Sequence, residues 1–201
     1  MTTGVSRARR LRTIAVLAVM AGGAIGIIGS TQPWLDVTLR DGAQLALAVP
    51  GASALPVLAP LSLAALALGL ALTIVGRVLR YAFAALGLAL SLGLGVGAFR
   101  IAATRPVDAV AAEVTDATGL SGLDGIGGIV TSVSATPWPA VTGAASVLIL
   151  AGSLLVLATA HRWPGSGRKY RQDAPPARAA DGPRDAIDSW DGLSRGEDPT
   201  R

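Results

Sequence analysis

Four apolar stretches dominate the pattern of hydrophobic and polar positions along the chain. Each is 18 to 21 residues long and contains no Asp, Glu, Lys, Arg or His. At about 1.5 Å of rise per residue, a helix of this length reaches about 30 Å, the thickness of the hydrocarbon core of a bilayer. The stretches cover residues 13–30, 56–76, 81–99 and 141–160. The pattern therefore predicts an all-α membrane protein, a four-transmembrane-helix bundle formed by residues 13–160.

Positive charges predict how this bundle is oriented. Lys and Arg near membrane spans are retained in the cytoplasm. Of the 17 basic residues, 14 lie in residues 1–12, between the second and third spans, or in the tail 161–201. The other three are Arg40, Arg100 and Arg105, in the loops 31–55 and 100–140. We therefore expect a multi-pass protein of the cell membrane with both termini in the cytoplasm and both long loops outside.

The first span has one competing interpretation, a cleaved signal peptide. A basic stretch before an apolar run is the pattern of a secretory signal peptide. The run is longer than the apolar region of a typical signal peptide. It also ends in Gly29-Ser30-Thr31-Gln32-Pro33, without a small-residue cleavage motif. We expect this span to be retained.

Small residues recur every four positions within three of the spans. These stripes are Gly22, Gly26 and Ser30; Ala65, Gly69 and Thr73; and Gly87, Ser91 and Gly95. Helices in a bilayer associate by close backbone approach over small residues. The stripes therefore predict helix contacts, and packing within one chain is favoured over a homodimer seam. Hydroxyl groups in the spans are expected to bond to a carbonyl one turn back.

The outer loops have strand and helix signals of their own. Asp41-Gly42 between the segments 34–39 and 43–49 predicts a small extracytoplasmic β-hairpin, and residues 129–133 could add a third strand. Val107, Val110, Ala111 and Val114 fall on one face of a helix expected to continue from the third span. The glycine-rich stretch 119–128 is not expected to be helical.

Three tryptophans lie next to span ends. Trp34 and Trp138 are placed at the outer interface and Trp163 at the inner one, where an aromatic belt anchors spans. A role in stacking on a ligand is the alternative for the outer two. The loop carboxylates fit a solvated face better than a cation site, because their spacing is not that of a binding loop. They are Asp108, Glu113, Asp116 and Asp124.

The segment 161–201 is predicted to be a disordered cytoplasmic tail, since Pro, Ala, Gly, Asp and Arg dominate it from Gln172 onward. Basic residues at its start suit anionic lipid headgroups; these are Arg162, Arg168, Lys169 and Arg171. Ile187, Trp190 and Leu193 form a short amphipathic patch. This patch suits either docking on a cytoplasmic protein partner or binding to the leaflet, and both interpretations stay open.

Several kinds of chemistry lack the residues they need. The chain has no cysteine for disulfides or thiolate metal sites, and its single histidine, His161, has no partner ligand in the sequence. The spans contain no ionisable group for a coupled pump and no nucleophile with a base. We expect no cofactor, no metal and no enzymatic activity. The net charge of +4 is explained by topology, so nucleic acid is not expected as a partner.

Short motifs flank the first and last spans and end the chain. They are Thr31-Gln32-Pro33-Trp34, Thr136-Pro137-Trp138-Pro139, and the run from Trp190 to Thr200. With the four-span order, they resemble the actinobacterial tryptophan-biosynthesis-associated membrane protein family over nearly the whole chain. The resemblance implies a link to the tryptophan pathway and supplies no catalytic or binding residues.

Two function classes follow from this resemblance and from the residues. The first is a non-enzymatic membrane accessory protein that tethers or regulates a pathway enzyme through the tail. The alternative is a facilitator or transporter subunit for tryptophan, indole or a precursor. The lack of charge within the spans favours the first class. The sequence leaves the oligomeric state open.

Overall fold

The computed structural model describes residues 2–40 and 46–163. The chain divides into two units, Met1–Ser166 and Gly167–Arg201, and the described residues all belong to the first. The predicted Asp41-Gly42 turn lies outside the described residues. The same is true of the tail after Trp163, including the Ile187, Trp190 and Leu193 patch.

Three long apolar helices correspond to the first, third and fourth predicted spans. They are α1 (Thr2–Thr31), α4 (Arg77–Thr104) and α7 (Trp138–Thr159). Among the described residues, Arg9–Thr31, Arg77–Thr104 and Trp138–Thr159 are long and apolar enough to cross a membrane. Helices α1 and α4 extend past the predicted bounds because charged residues at a span end mark the limit of the apolar core, and they do not stop the helix.

The second predicted span is a shorter helix. Helix α3 (Leu58–Ala71) has 14 residues, which corresponds to about 21 Å. A four-residue helix, α2 (Gly51–Ala54), precedes it. Pro56 separates the two, because the residue before a proline is disfavoured in the helical conformation, and Leu55 has φ −140° and ψ 86°. Beyond Ala71 the chain continues as a turn, with the Val75 N–H donating to the Ala71 carbonyl at 3.1 Å.

The helices pack as antiparallel neighbours. Helix α1 packs along α3 and α7, and α7 also packs along α4, whereas α3 and α4 touch less extensively. Against α1, Ser62 lies beside Gly26 and Gly69 lies beside Met20. Residue numbers on α3 therefore rise as those on α1 fall. Helix α3 runs back along α1 from the C-terminal half of that helix towards its start.

A small sheet follows the end of α1. Its strands β1 (Pro33–Leu39), β2 (Ala46–Pro50) and β3 (Val130–Ala135) pair in the order β2-β1-β3, all antiparallel. The predicted pairing of the first two segments and the predicted third strand are confirmed. Leu35, Val37 and Val49 are fully buried in the hydrophobic core. The sheet thus buries one face, as alternating strand residues require.

The second long loop is more helical than predicted. Arg105 ends α4 with φ 42°, and a single 3₁₀ turn at Val107–Ala109 leads to α5 (Ala111–Thr118). Helix α6 (Leu123–Ile129) then occupies part of the stretch expected to be non-helical, so that prediction is wrong. Ile126 is 1% exposed. Burial of this side chain provides a stabilisation that glycine propensity alone does not reveal.

Candidate functional site

Glycines and hydroxyl groups meet at the contacts between the long helices. Gly26 faces the Ser62 hydroxyl and Gly87 faces the Ser153 hydroxyl. A Cβ atom on Gly29 would lie 2.9 Å from the Thr142 hydroxyl oxygen. Each glycine lets a neighbouring helix approach to a distance that a methyl group would block. The predicted packing within one chain is confirmed at Gly26 and Gly87.

The hydroxyl groups in these contacts behave in two ways. Ser91 donates to the Leu88 carbonyl at 2.8 Å and Ser146 donates to the Gly143 carbonyl at 2.7 Å, as predicted. Ser62, Thr142 and Ser153 are buried, and their hydroxyl oxygens have no hydrogen-bond partner among the described residues. For these three, the prediction of a bond one turn back is wrong. They lie instead against the glycines, where a backbone C–H can contact the oxygen.

Arginine and tryptophan side chains cluster at one end of the bundle, here called the arginine end and defined by Arg12, Arg77, Arg80 and Trp163. The Arg12 guanidinium donates to the Thr73 carbonyl. The guanidinium carbons of Arg12 and Arg80 lie 5.8 and 5.2 Å from the centre of the Trp163 ring. Both distances are within the range of cation–π attraction. The start of α1, the turn after α3 and the start of α4 therefore meet at one ring.

The last helix is attached to the arginine end as well. The Trp163 ring is 2% exposed, and its indole N–H donates to the Thr159 hydroxyl at 3.0 Å. Arg77 donates to the His161 carbonyl at 3.5 Å. Cations beside carbonyls at helix C-termini are stabilising, because those groups carry partial negative charge. The contacts of Trp163 are with protein, and its role as an interface anchor stays a prediction.

The opposite end of the bundle, here called the sheet end, is organised by Trp34. This ring is fully buried, and its indole N–H donates to the Gly29 carbonyl at 2.9 Å. A Cβ atom on Gly51 would lie 2.6 Å from both the Trp34 indole nitrogen and the Gly29 carbonyl oxygen. Because no part of the ring is exposed, a ligand cannot stack on it in this structure. Its role at a membrane interface stays a prediction.

The two tryptophan-containing motifs of the sequence lie side by side at the sheet end. The Thr136 hydroxyl donates to the Pro33 carbonyl at 2.6 Å, and the Thr136 N–H donates to the Trp34 carbonyl at 2.9 Å. Thr136 also accepts the Trp138 N–H at 3.3 Å, at the start of α7. The motifs therefore join the end of α1 to the start of α7. Trp138 is partly buried against the core, and its anchor role stays a prediction.

The outer carboxylates have separate partners. Glu113 accepts a 2.6 Å hydrogen bond from the Ser53 hydroxyl, which joins α5 to α2. Asp108 pairs with Arg100 at 3.2 Å, and both side chains are more than half exposed, so this pair contributes little to stability. No group of three His, Asp or Glu residues in the described part of the chain could hold a metal ion.

The residues proposed to bind headgroups are not tested by this geometry. Arg162 lies in the 3₁₀ turn Ala160–Arg162 after α7, and its side chain is not among those described. Arg168, Lys169 and Arg171 lie outside the described residues. Sequence reasoning missed an apolar groove of about 260 Å³ between α4 and α7, which Leu92, Phe99 and Leu150 help to line. Only the helix packing reveals this groove.

Over residues 2–40 and 46–163, the fold and the two ends define a mostly helical protein with three candidate membrane-spanning helices and a small sheet. The model of the tryptophan-associated transmembrane protein family matches residues 16–200. The chain therefore belongs to that family, as the resemblance predicted. No curated protein and no solved structure was found to match the chain.

Proposed function

We propose that the chain crosses the cell membrane four times, with both termini in the cytoplasm. The support is the position of α3 between the two ends of the bundle. The chain leaves the sheet end at Gly51, which lies against Trp34, and reaches the arginine end at Thr73, which accepts from Arg12. The segment between them runs beside residues 12–29 of α1. A short helix with a turn at one end and Pro56 at the other can thus serve as the second crossing.

The distribution of charge gives the orientation. Arg12, Arg77 and Arg80 lie at the arginine end, whereas Arg40 follows β1 and Arg100 lies near the C-terminal end of α4, on the sheet side. Positive residues beside spans are retained in the cytoplasm. The arginine end would therefore face the cytoplasm, and the sheet would be extracytoplasmic. Arg162, Arg168, Lys169 and Arg171 would then follow α7 at the level of anionic headgroups.

We further propose that the protein is a non-enzymatic accessory protein of tryptophan biosynthesis. The observation that supports this most is the close packing between helices. The hydroxyls of Ser62, Thr142 and Ser153, which could line a polar path, face glycines of neighbouring helices instead. A bundle built in this way is suited to holding loops and a tail in place. The tail, with Ile187, Trp190 and Leu193, would contact a cytoplasmic pathway enzyme.

A facilitator for tryptophan, indole or a precursor is the second candidate. The groove between α4 and α7 favours it, because its lining is apolar and an uncharged aromatic molecule such as indole suits such a surface. The groove opens towards the side of the bundle, however, where hydrocarbon chains of lipid would also fit.

One pair of measurements separates the two candidates. Crosslinked affinity purification from native membranes should recover an enzyme of the tryptophan pathway with the full chain and lose it with Trp190→Ala. Uptake and efflux of labelled tryptophan and indole should be equal in the deletion and parent strains. Altered transport with no enzyme recovered would reject the accessory function and support the facilitator.

A further inference from the structure

Strand β3 presents a free edge of the sheet. In the order β2-β1-β3, its far side has no strand beside it among the described residues. The Thr136 N–H bonds to the Trp34 carbonyl, and Asp36 pairs with Ser134 in the same register. Backbone groups of successive strand residues point in opposite directions. The N–H and C=O groups of Val133 and Ala135 therefore point away from β1, along the open edge.

This edge carries few of the features that prevent strands from pairing. Residues Val130–Ala135 contain no charge and no proline. A register shift opposite Thr38 and Leu39 disturbs one end of the strand and leaves Ser132–Ala135 regular. The other edge is different, because Pro50 at the end of β2 has no N–H to donate and β2 also contacts α5. Exposed neutral edges are templates for pairing with another strand.

We propose that this edge is a dimer interface, at which β3 pairs antiparallel with β3 of a second copy of the chain. A twofold axis perpendicular to the sheet, passing beside Val133, places Val133 opposite Val133. Ser132 then lies opposite Ser134. None of these pairs brings like charges together, so the strand is complementary to itself. The proposal does not depend on the function or the topology given above.

The residues around the edge favour a second copy as the occupant. Val133 is partly buried against the hydrophobic core. The proposed twofold axis keeps the core faces of both sheets on the same side. The hydrophobic cores of the two copies would therefore become continuous. Leu120 and Leu123 lie shortly before β3 and are 46% and 58% exposed. A neighbouring copy could cover this apolar surface.

Single introduced cysteines test the position of the proposed twofold axis. Any disulfide must form between them, because the chain has no cysteine of its own. Opposed residues in a hydrogen-bonded antiparallel pair have Cα atoms about 5.5 Å apart, within the range of a disulfide. Oxidation of Val133→Cys in native membranes should give a covalent dimer. The matched control is Ala135→Cys, in the regular part of the same edge, whose two copies would lie about 14 Å apart. We expect at least tenfold less dimer from the control.

A second pair of variants tests the pairing through charge, with the Val133→Cys crosslink as the readout. Ser132 and Ser134 are exposed, and the proposed dimer places them opposite each other. Ser132→Lys with Ser134→Lys, in the Val133→Cys background, should lower the crosslinked fraction at least tenfold by repulsion of like charges. Ser132→Thr with Ser134→Thr should leave it unchanged.

Three results would reject the dimer. They are equal crosslinking of the two cysteine variants, no crosslinking of Val133→Cys, and crosslinking of Val133→Cys only to a different protein. The comparison between the two cysteines stands even if the lysine variant fails to fold.

Discussion

Single polar atoms fix the sheet end of this protein. The indole N–H of Trp34 has one partner, the Gly29 carbonyl at the end of α1, and the whole ring is buried. A carbonyl in the last turn of a helix has no N–H donor within that helix, so a side-chain donor there satisfies it. Gly51 makes this possible, because any side chain at that position would occupy the same space.

Trp34→Phe tests this bond. The ring would stay buried, but the Gly29 carbonyl would keep only the longer bond from the Gln32 N–H at 3.3 Å, and we expect a loss of about 1 to 2 kcal/mol in the free energy of unfolding. Thermal unfolding of the detergent-solubilised protein should show a midpoint several degrees lower. Trp138→Phe is the control, because the Trp138 indole has no hydrogen bond among the described residues and its loss should change little. Equal shifts for both variants would contradict the assigned role.

At the scale of elements, the helices are held together by glycines opposite hydroxyl groups. Gly26 on α1 faces Ser62 on α3, and Gly87 on α4 faces Ser153 on α7. Attraction between apolar side chains does not distinguish helix from lipid, so close backbone approach determines which faces meet. The stripes of small residues in the sequence therefore predict the contact faces. They do not predict which helix lies opposite each face.

Gly87→Ala tests one such contact against a matched control. The added methyl group would collide with the Ser153 hydroxyl, and overpacking of this kind costs about 1 to 3 kcal/mol. Gly143→Ala adds the same methyl group on α7, where nothing lies within 4 Å, and should be neutral or stabilising because alanine favours the helix. The measurement is the unfolding midpoint of each variant in detergent.

A rescue variant completes this test. Ser153→Gly should remove the collision and restore most of the stability lost in Gly87→Ala. No rescue, or an equal effect of Gly143→Ala, would show that Gly87 does not act through the α4–α7 contact.

At the scale of the whole molecule, the arginine end collects four chain segments around Trp163. Arg12 comes from α1, Arg80 comes from α4, and Thr73 follows α3. These segments are far apart in sequence, and their common location agrees with the antiparallel packing of α3 on α1. The length of α3 alone would not identify it as a crossing.

Accessibility of single cysteines tests the four-crossing topology. We expect Gly76→Cys, between α3 and α4, to resist a membrane-impermeant thiol reagent in whole cells and to react after permeabilisation. The Gly76 position has open space around it, so the substitution should be tolerated. Ser121→Cys, in the exposed loop after α5, should react in whole cells. Reaction of Gly76→Cys in whole cells would rule out α3 as a crossing.

The termini give a second check on the same topology. Cysteines at Ser6 and Ser194 should be protected in whole cells, because both termini are expected to be cytoplasmic. Labelling of Ser6→Cys together with protection of Ser121→Cys would reverse the orientation.

The sequence by itself determined the class of protein, the three long helices, the faces that pack and the family. These features depend on local properties: the length of apolar runs, the spacing of small residues and short motifs at span ends. The third strand could be predicted as well, because β-branched residues at 129–133 follow a hairpin signal.

The tertiary structure alone decided which partners these features have. It joined the Pro33-Trp34 and Thr136 motifs, turned Trp34 and Trp163 inward, and formed α6 around the buried Ile126. It also left Ser62, Thr142 and Ser153 facing glycines rather than their own helices. The physical reason is that burial and close approach depend on residues distant in sequence. A tryptophan next to a span fits a lipid interface and a protein core equally well, until the neighbouring helices occupy one of its sides.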